Sequence, residues 1–166
     1  VDILSAFDTD NDRLPRIVDK YHKKNDVSHS HKKRSKATVN EIIRNRGILD
    51  YIIEESSSRK MRNIQPKLKS ILRLGCYDLL FDEVIPEFAA IHSSVELGKI
   101  LVSKKSGSMV NAVLRNMQRK QYSDPSWLKS IRNNNTELSF PNWLVKKWIK
   151  QFGVKNTKKL CKYYLK

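Results

Sequence analysis

The sequence predicts an all-α protein, a helical bundle with a C-terminal helical segment attached, and three observations predict it. From Ile64 to Leu80 the apolar residues Leu68, Ile71, Leu72, Leu74 and Leu79 recur at spacings of three, four and seven, the period of a helix buried along a stripe. The same period returns in several other stretches of the chain. No stretch alternates apolar and polar residues with the β-branched enrichment that a sheet requires.

Taken in order, Ile3, Leu4 and Phe7 mark the last turns of a helix expected to begin before Val1, and DTDND after it reads as a polar turn that caps the next one. The turn imitates a calcium loop through Asp8, Asp10, Asp12 and Asp19. Its sixth position is Arg13 instead of Gly, Pro15 interrupts it, and the twelfth lacks the bidentate Glu, so calcium is excluded. Leu14, Ile17, Val18 and Tyr21 predict a second helix. It runs into KYHKKNDVSHSHKKRSK, residues 20–36, where seven Lys and Arg stand against the single acid Asp26. This stretch reads as a solvated basic loop, and His29 and His31 lack the partners of a metal pair.

Ala37, Val39, Ile42, Ile43, Leu49, Ile52 and Ile53 predict one amphipathic helix bent at Gly47, with Arg44 and Arg46 off its apolar face. The central helix follows. Pro66 stands where a first turn tolerates a missing N–H, and Gly75, costing about 1 kcal/mol against Ala, predicts a close helix neighbour. Ala89 to Leu101 forms the next helix, SKKSGS a loop, and Met109 to Met117 another helix. Residues 122–138 read as a polar linker around a short helix from Ser126 to Ile131, and FPNWLVKKWIKQFG as a last helix burying Trp143, Leu144, Trp148 and Ile149 and showing Lys146, Lys147 and Lys150.

Composition bounds the partners. Among 166 residues, 33 Lys and Arg against 17 Asp and Glu leave a formal charge of +16, so polyanions are the expected partners. Nucleic acid is preferred to a membrane, because no apolar run spans a bilayer and no basic amphipathic stretch carries a dense apolar face. No secretory signal follows Val1, and the absence of a starting Met predicts a native chain that extends beyond these residues. Two cysteines, Cys76 and Cys161, form neither a disulfide framework nor a metal spacing, and a reducing cytoplasm fits them. Catalysis has no constellation here: His92 stands alone as a polar neighbour at a helix interface, and five isolated glycines build no nucleotide loop.

The ordered motifs RNRGILDYII (residues 44–53), ILRLGCYDLLF (71–81), IP (85–86), AAIHSSVELGK (89–99) and MVNAVLR (109–115) resemble the NusB-type helical domain. That resemblance implies a NusB-like bundle over residues 1–121 and a helical linker over 122–166. The family has two uses: a free antitermination factor that binds RNA with a ribosomal protein, and the N-terminal domain of ribosomal RNA cytosine-5 methyltransferases. LSFPNWLVKKWIKQFG, residues 138–153, resembles the bridge to the methyltransferase body. The resemblance therefore implies an N-terminal domain that holds 16S ribosomal RNA for a catalytic domain of the same polypeptide. S-adenosylmethionine belongs to that domain, and the chain in hand is expected to bind none. His92 stands where most relatives carry Asn. The catalytic cysteines of such enzymes follow Pro and Thr, whereas Cys76 follows Gly75 and Cys161 follows Leu160, so neither is assigned to catalysis.

The RNA contacts are expected at Lys32, Lys33, Arg34 and Lys36 in the basic stretch, with Arg44 and Arg46 on the following helix and Lys146 and Lys147 near the C-terminus. A pure protein-interaction scaffold would account for the helices but not for the charge.

Overall fold

The computed structural model describes residues 1–10, 12–25 and 28–164; Asn11 of the polar turn, Asp26 of the basic stretch and the final Lys166 lie outside the described residues. Nine α-helices and no strand occur among the described residues: α1 Asp2–Thr9, α2 Leu14–Lys24, α3 His29–Arg44, α4 Arg46–Ser57, α5 Pro66–Leu80, α6 Glu87–Leu101, α7 Lys104–Ser123, α8 Trp127–Asn134 and α9 Asn142–Tyr164. The all-α expectation holds.

Helix α5 is the axis of the bundle and packs against α1, α4, α6 and α7. Pro66 opens it and Ile71, Leu72 and Cys76 are fully buried, meeting Leu49, Ile52 and Ile53 of α4 and Val110, Leu114 and Met117 of α7 in one core. The close approach foreseen at Gly75 is present: a Cβ there would lie 2.6 Å from Ser94 Oγ on α6 and 2.8 Å from Leu114 Cδ1 on α7.

Several local expectations are corrected. The basic stretch is helical up to Lys24 and again from His29. Lys and Arg are good helix formers, and Ser28 caps α3 by accepting from the His31 backbone N–H at 3.4 Å. The helix expected to bend at Gly47 is two helices, separated at Asn45, whose side-chain amide donates to the Glu41 carbonyl at 2.9 Å and closes α3. Gly47 has another reason to be small: the Leu138 carbonyl oxygen fills the space that its Cβ would need. SKKSGS is the first turn of α7, capped by Ser103 Oγ accepting from the Ser106 N–H at 3.1 Å. The acids of the polar turn do not cap α2; Asp12 Oδ1 accepts from the adjoining Arg13 N–H instead. His92 is exposed on α6, because Ala90, Ile91, Ser94 and Gly98 take the buried face.

The stretch read as a linker is docked. Ile131 of α8 joins the core, with Trp127, Leu128 and Leu138 packed against it. Helix α9 is broken at Gly153, whose φ of 75° and ψ of 165° suit a residue without a Cβ. Its second half turns Tyr164 back onto Trp148, with ring centroids 6.1 Å apart and Phe140 edge-on to both. The expected apolar set on α9 is therefore corrected: Val145, Thr157 and Cys161 are buried, Trp148 and Leu144 are half-buried, and Trp143 and Ile149 are exposed.

Candidate nucleic-acid interface

Helical register sorts the expected RNA contacts. At about 100° per residue Lys32, Lys33 and Lys36 share one arc of α3, while Arg34 points to the opposite side. There it lines a cleft with Tyr21, Thr38 and Asp78. Lys33, Lys36 and Arg34 are exposed and Lys32 is half-buried. Helix α2 steadies this face, since His22 Nε2 lies 2.9 Å from Ser35 Oγ.

Arg44 and Arg46 are already engaged. Arg44 is solvent-exposed and pairs with Glu41 one turn back. Arg46 Nη2 lies 3.1 Å from Asp8 and its Nε 4.0 Å from Asp50, which ties it to the contact between α1 and α4. These carboxylates also hold Arg73, a residue the sequence reading passed over. Arg73 is 3% exposed, donates from Nε and Nη2 to the two oxygens of Asp50 at 2.7 and 2.9 Å, and donates from Nη1 to Asp8. Burial alone would lower its guanidinium pKa, but Asp50 and Asp8 overcome that and raise it above the ordinary value.

Helix α9 carries a second cationic face. Trp143 stands three and four residues before Lys146 and Lys147, and Lys150 completes the arc, so an indole and three ammonium groups project from one side. Trp143 is 67% exposed. From Asn142 to Tyr164 the sequence contains seven lysines and no acid. Among the described residues no ion pair engages Lys146, Lys147 or Lys150, nor Lys32, Lys33 or Lys36. A cationic surface with an exposed aromatic ring can neutralise phosphates and stack an unpaired base. Trp143 and Lys150 were absent from the expected contacts, although the spacing from 143 to 150 carried the signal; reading Trp143 as core concealed it.

Both cysteines are free thiols and both are buried. Cys76 is fully buried in α5 and burial drives its thiol pKa far up, while Cys161 is buried in α9 and its thiol is likewise raised. Among the described residues no group of His, Cys, Asp and Glu is arranged to hold a metal ion, and no helix is long and apolar enough to cross a membrane.

Residues 1–119 match the NusB family, and the chain belongs to it. It is 33% identical over 144 residues to the probable ribosomal RNA small subunit methyltransferase B of Bacillus subtilis (strain 168), covering 86% of this chain and 32% of that protein. It is 30% identical over 124 residues to the protein of the same description from Synechocystis sp. (strain ATCC 27184 / PCC 6803 / Kazusa), covering 74% of this chain and 28% of the relative. The transcription antitermination protein NusB of Aliarcobacter butzleri (strain RM4018) is 29% identical over 115 residues, covering 69% of this chain and 87% of that protein. The chain thus spans about a third of the length of the methyltransferase relatives. No solved structure gives a significant match.

Proposed function

We propose that this chain is the RNA-holding module of an S-adenosylmethionine-dependent methyltransferase that modifies cytosine in 16S ribosomal RNA. The single observation that carries RNA binding is the α9 face of exposed Trp143 beside Lys146, Lys147 and Lys150, with no carboxylate in the helix. The lysines release counterions from the phosphate backbone, and the indole supplies a platform for an unstacked base. The face of Lys32, Lys33 and Lys36 on α3 provides a second set of phosphate contacts. Rigidity comes from the α5-centred core, so bound RNA is held in one orientation for a catalytic body of the same polypeptide. That body supplies the cofactor site and the nucleophilic cysteine, since the thiols here fit neither role.

The length of the likeness supports the methyltransferase setting. An alignment covering 86% of the 166 residues cannot fit within residues 1–119, so the similarity to the Bacillus subtilis protein runs into the C-terminal segment. The antitermination reading keeps one observation in its favour, the 87% coverage of the Aliarcobacter butzleri protein. Fluorescence anisotropy with fragments of 16S ribosomal RNA tests the binding. Submicromolar affinity that falls with salt and resists competition by duplex DNA is expected; equal affinity for both nucleic acids would contradict the reading. The native reading frame beyond Lys166 separates the two settings: a cofactor-binding domain with a Pro-Cys site is expected, and an early stop would leave the antitermination reading.

A further inference from the structure

Where α8 and the end of α9 meet the start of α4 and the end of α7 there is a cleft of about 550 Å³, within the range of roughly 300 to 1,000 Å³ typical of small-ligand sites. Its lining is ordered by chemistry. Lys129, Arg132 and Lys162 bring three cations and no carboxylate among the described residues lines it, while Ile48 and Leu128 give an apolar wall. Arg132 is held in place by the Phe81 ring, its guanidinium carbon 5.5 Å from the ring centroid. Two lining residues also carry a buried side-chain oxygen without a hydrogen-bond partner among the described residues, Gln121 Oε1 and Ser139 Oγ. Orphaned buried polar atoms are uncommon and costly, and here two of them belong to residues of the same cleft.

We propose that this cleft receives one unstacked nucleotide of a single-stranded RNA, its phosphate answered by Lys129, Arg132 and Lys162 and its base edge by Gln121 and Ser139. The three elements of the lining match the three parts of such a ligand. Cations meet the phosphate, the Ile48 and Leu128 wall meets a base face, and an amide and a hydroxyl meet the polar edge that distinguishes one base from another. The cleft is separate in its residues from the Trp143 face and from the α3 face. The inference rests on the RNA-binding reading and adds a selective position to it.

The test uses the whole chain and a 12-nucleotide single-stranded RNA that carries 4-thiouridine for photocrosslinking. Ser139→Ala removes only an unpartnered hydroxyl, so thermal stability should be kept while affinity falls about fivefold, the factor that one hydrogen bond is worth. The double variant Lys129→Gln/Lys162→Gln should lower the slope of log affinity against log salt by about 1.4, at roughly 0.7 per phosphate contact on a single strand. Crosslinks in wild type should fall on peptides from α8 and the segment around Ser139. If the folded variants bind as wild type does, or crosslinks fall only on α3 and the first half of α9, the cleft is not a nucleotide site although RNA binding stands. If wild type itself binds no RNA at low salt, the broader reading fails and the cleft proposal fails with it.

Discussion

Arg73 of α5 and Asp50 of α4 meet fork to fork, two parallel hydrogen bonds of 2.7 and 2.9 Å joining the central helix to its neighbour, and Asp8 brings α1 to the same guanidinium. The pair lies beside a core in which Leu49, Ile52, Ile71 and Leu72 are fully buried. A buried charge left alone is far costlier than the pair it came from. Asp50→Asn leaves Arg73 with Asp8 as its remaining carboxylate, so it should destabilise the chain by about 1 to 3 kcal/mol, the cost of leaving a buried polar group incompletely satisfied. Chemical denaturation measures this. An Asn variant within about 0.5 kcal/mol of wild type would show that the bidentate pair does not hold α4 to α5.

Gly75→Ala sets two effects against each other. Helix propensity favours Ala by about 1 kcal/mol, whereas overpacking a tight core costs typically 1 to 3 kcal/mol. With Ser94 Oγ 2.6 Å and Leu114 Cδ1 2.8 Å from the new methyl position, the clash should win. Removing the Ser94 hydroxyl in Gly75→Ala/Ser94→Ala should recover part of the loss. Unfolding midpoints of the four members of this cycle should be non-additive; strict additivity would mean that the two helices separate freely at this point.

Asp78 makes stability depend on pH in an unusual direction. Burial, with repulsion from Asp82, pushes its carboxyl pKa up from 3.8 to about 6, against the opposing pull of Arg34. Between those two values the folded state binds more protons than the unfolded state, so this residue's contribution to stability falls as pH rises and its cost is complete above about pH 6. Asp78→Asn should raise the urea midpoint at pH 8 and change it little at pH 4. A variant that stabilises more at pH 4 than at pH 8 would reverse the sign.

The order of the helices, the central position of α5 and the close neighbour at Gly75 were legible because periodicity and a misplaced glycine report packing directly. The basic stretch was misread as loop because charge density conceals helix propensity: Ser28 capping and the helix-forming Lys and Arg side chains outweigh the lack of an apolar stripe. Arg73 and Asp50 are 23 residues apart, and nothing local in the sequence announces that they meet. Trp143 shows a different limit. Aromatic residues at helical spacing usually mark a core, and only the exposed surface of α9 shows that this one shares its face with Lys146, Lys147 and Lys150.

In the proposed function, lysines of α3 and α9 that no acid engages among the described residues hold the phosphates of RNA, and the salt dependence of binding by three charge-matched triple variants tests this most directly. Replacing Lys146, Lys147 and Lys150 with Gln, or Lys32, Lys33 and Lys36, removes charges that no acid engages among the described residues. The control replaces Lys60, Lys67 and Lys99, which pair with Glu54, Asp2 and Glu96. Each of the first two variants should lower the slope of log affinity against log salt by about two, at roughly 0.7 per contact, while the control keeps the wild-type slope. Equal losses in all three variants, or no loss on either proposed face, would contradict it.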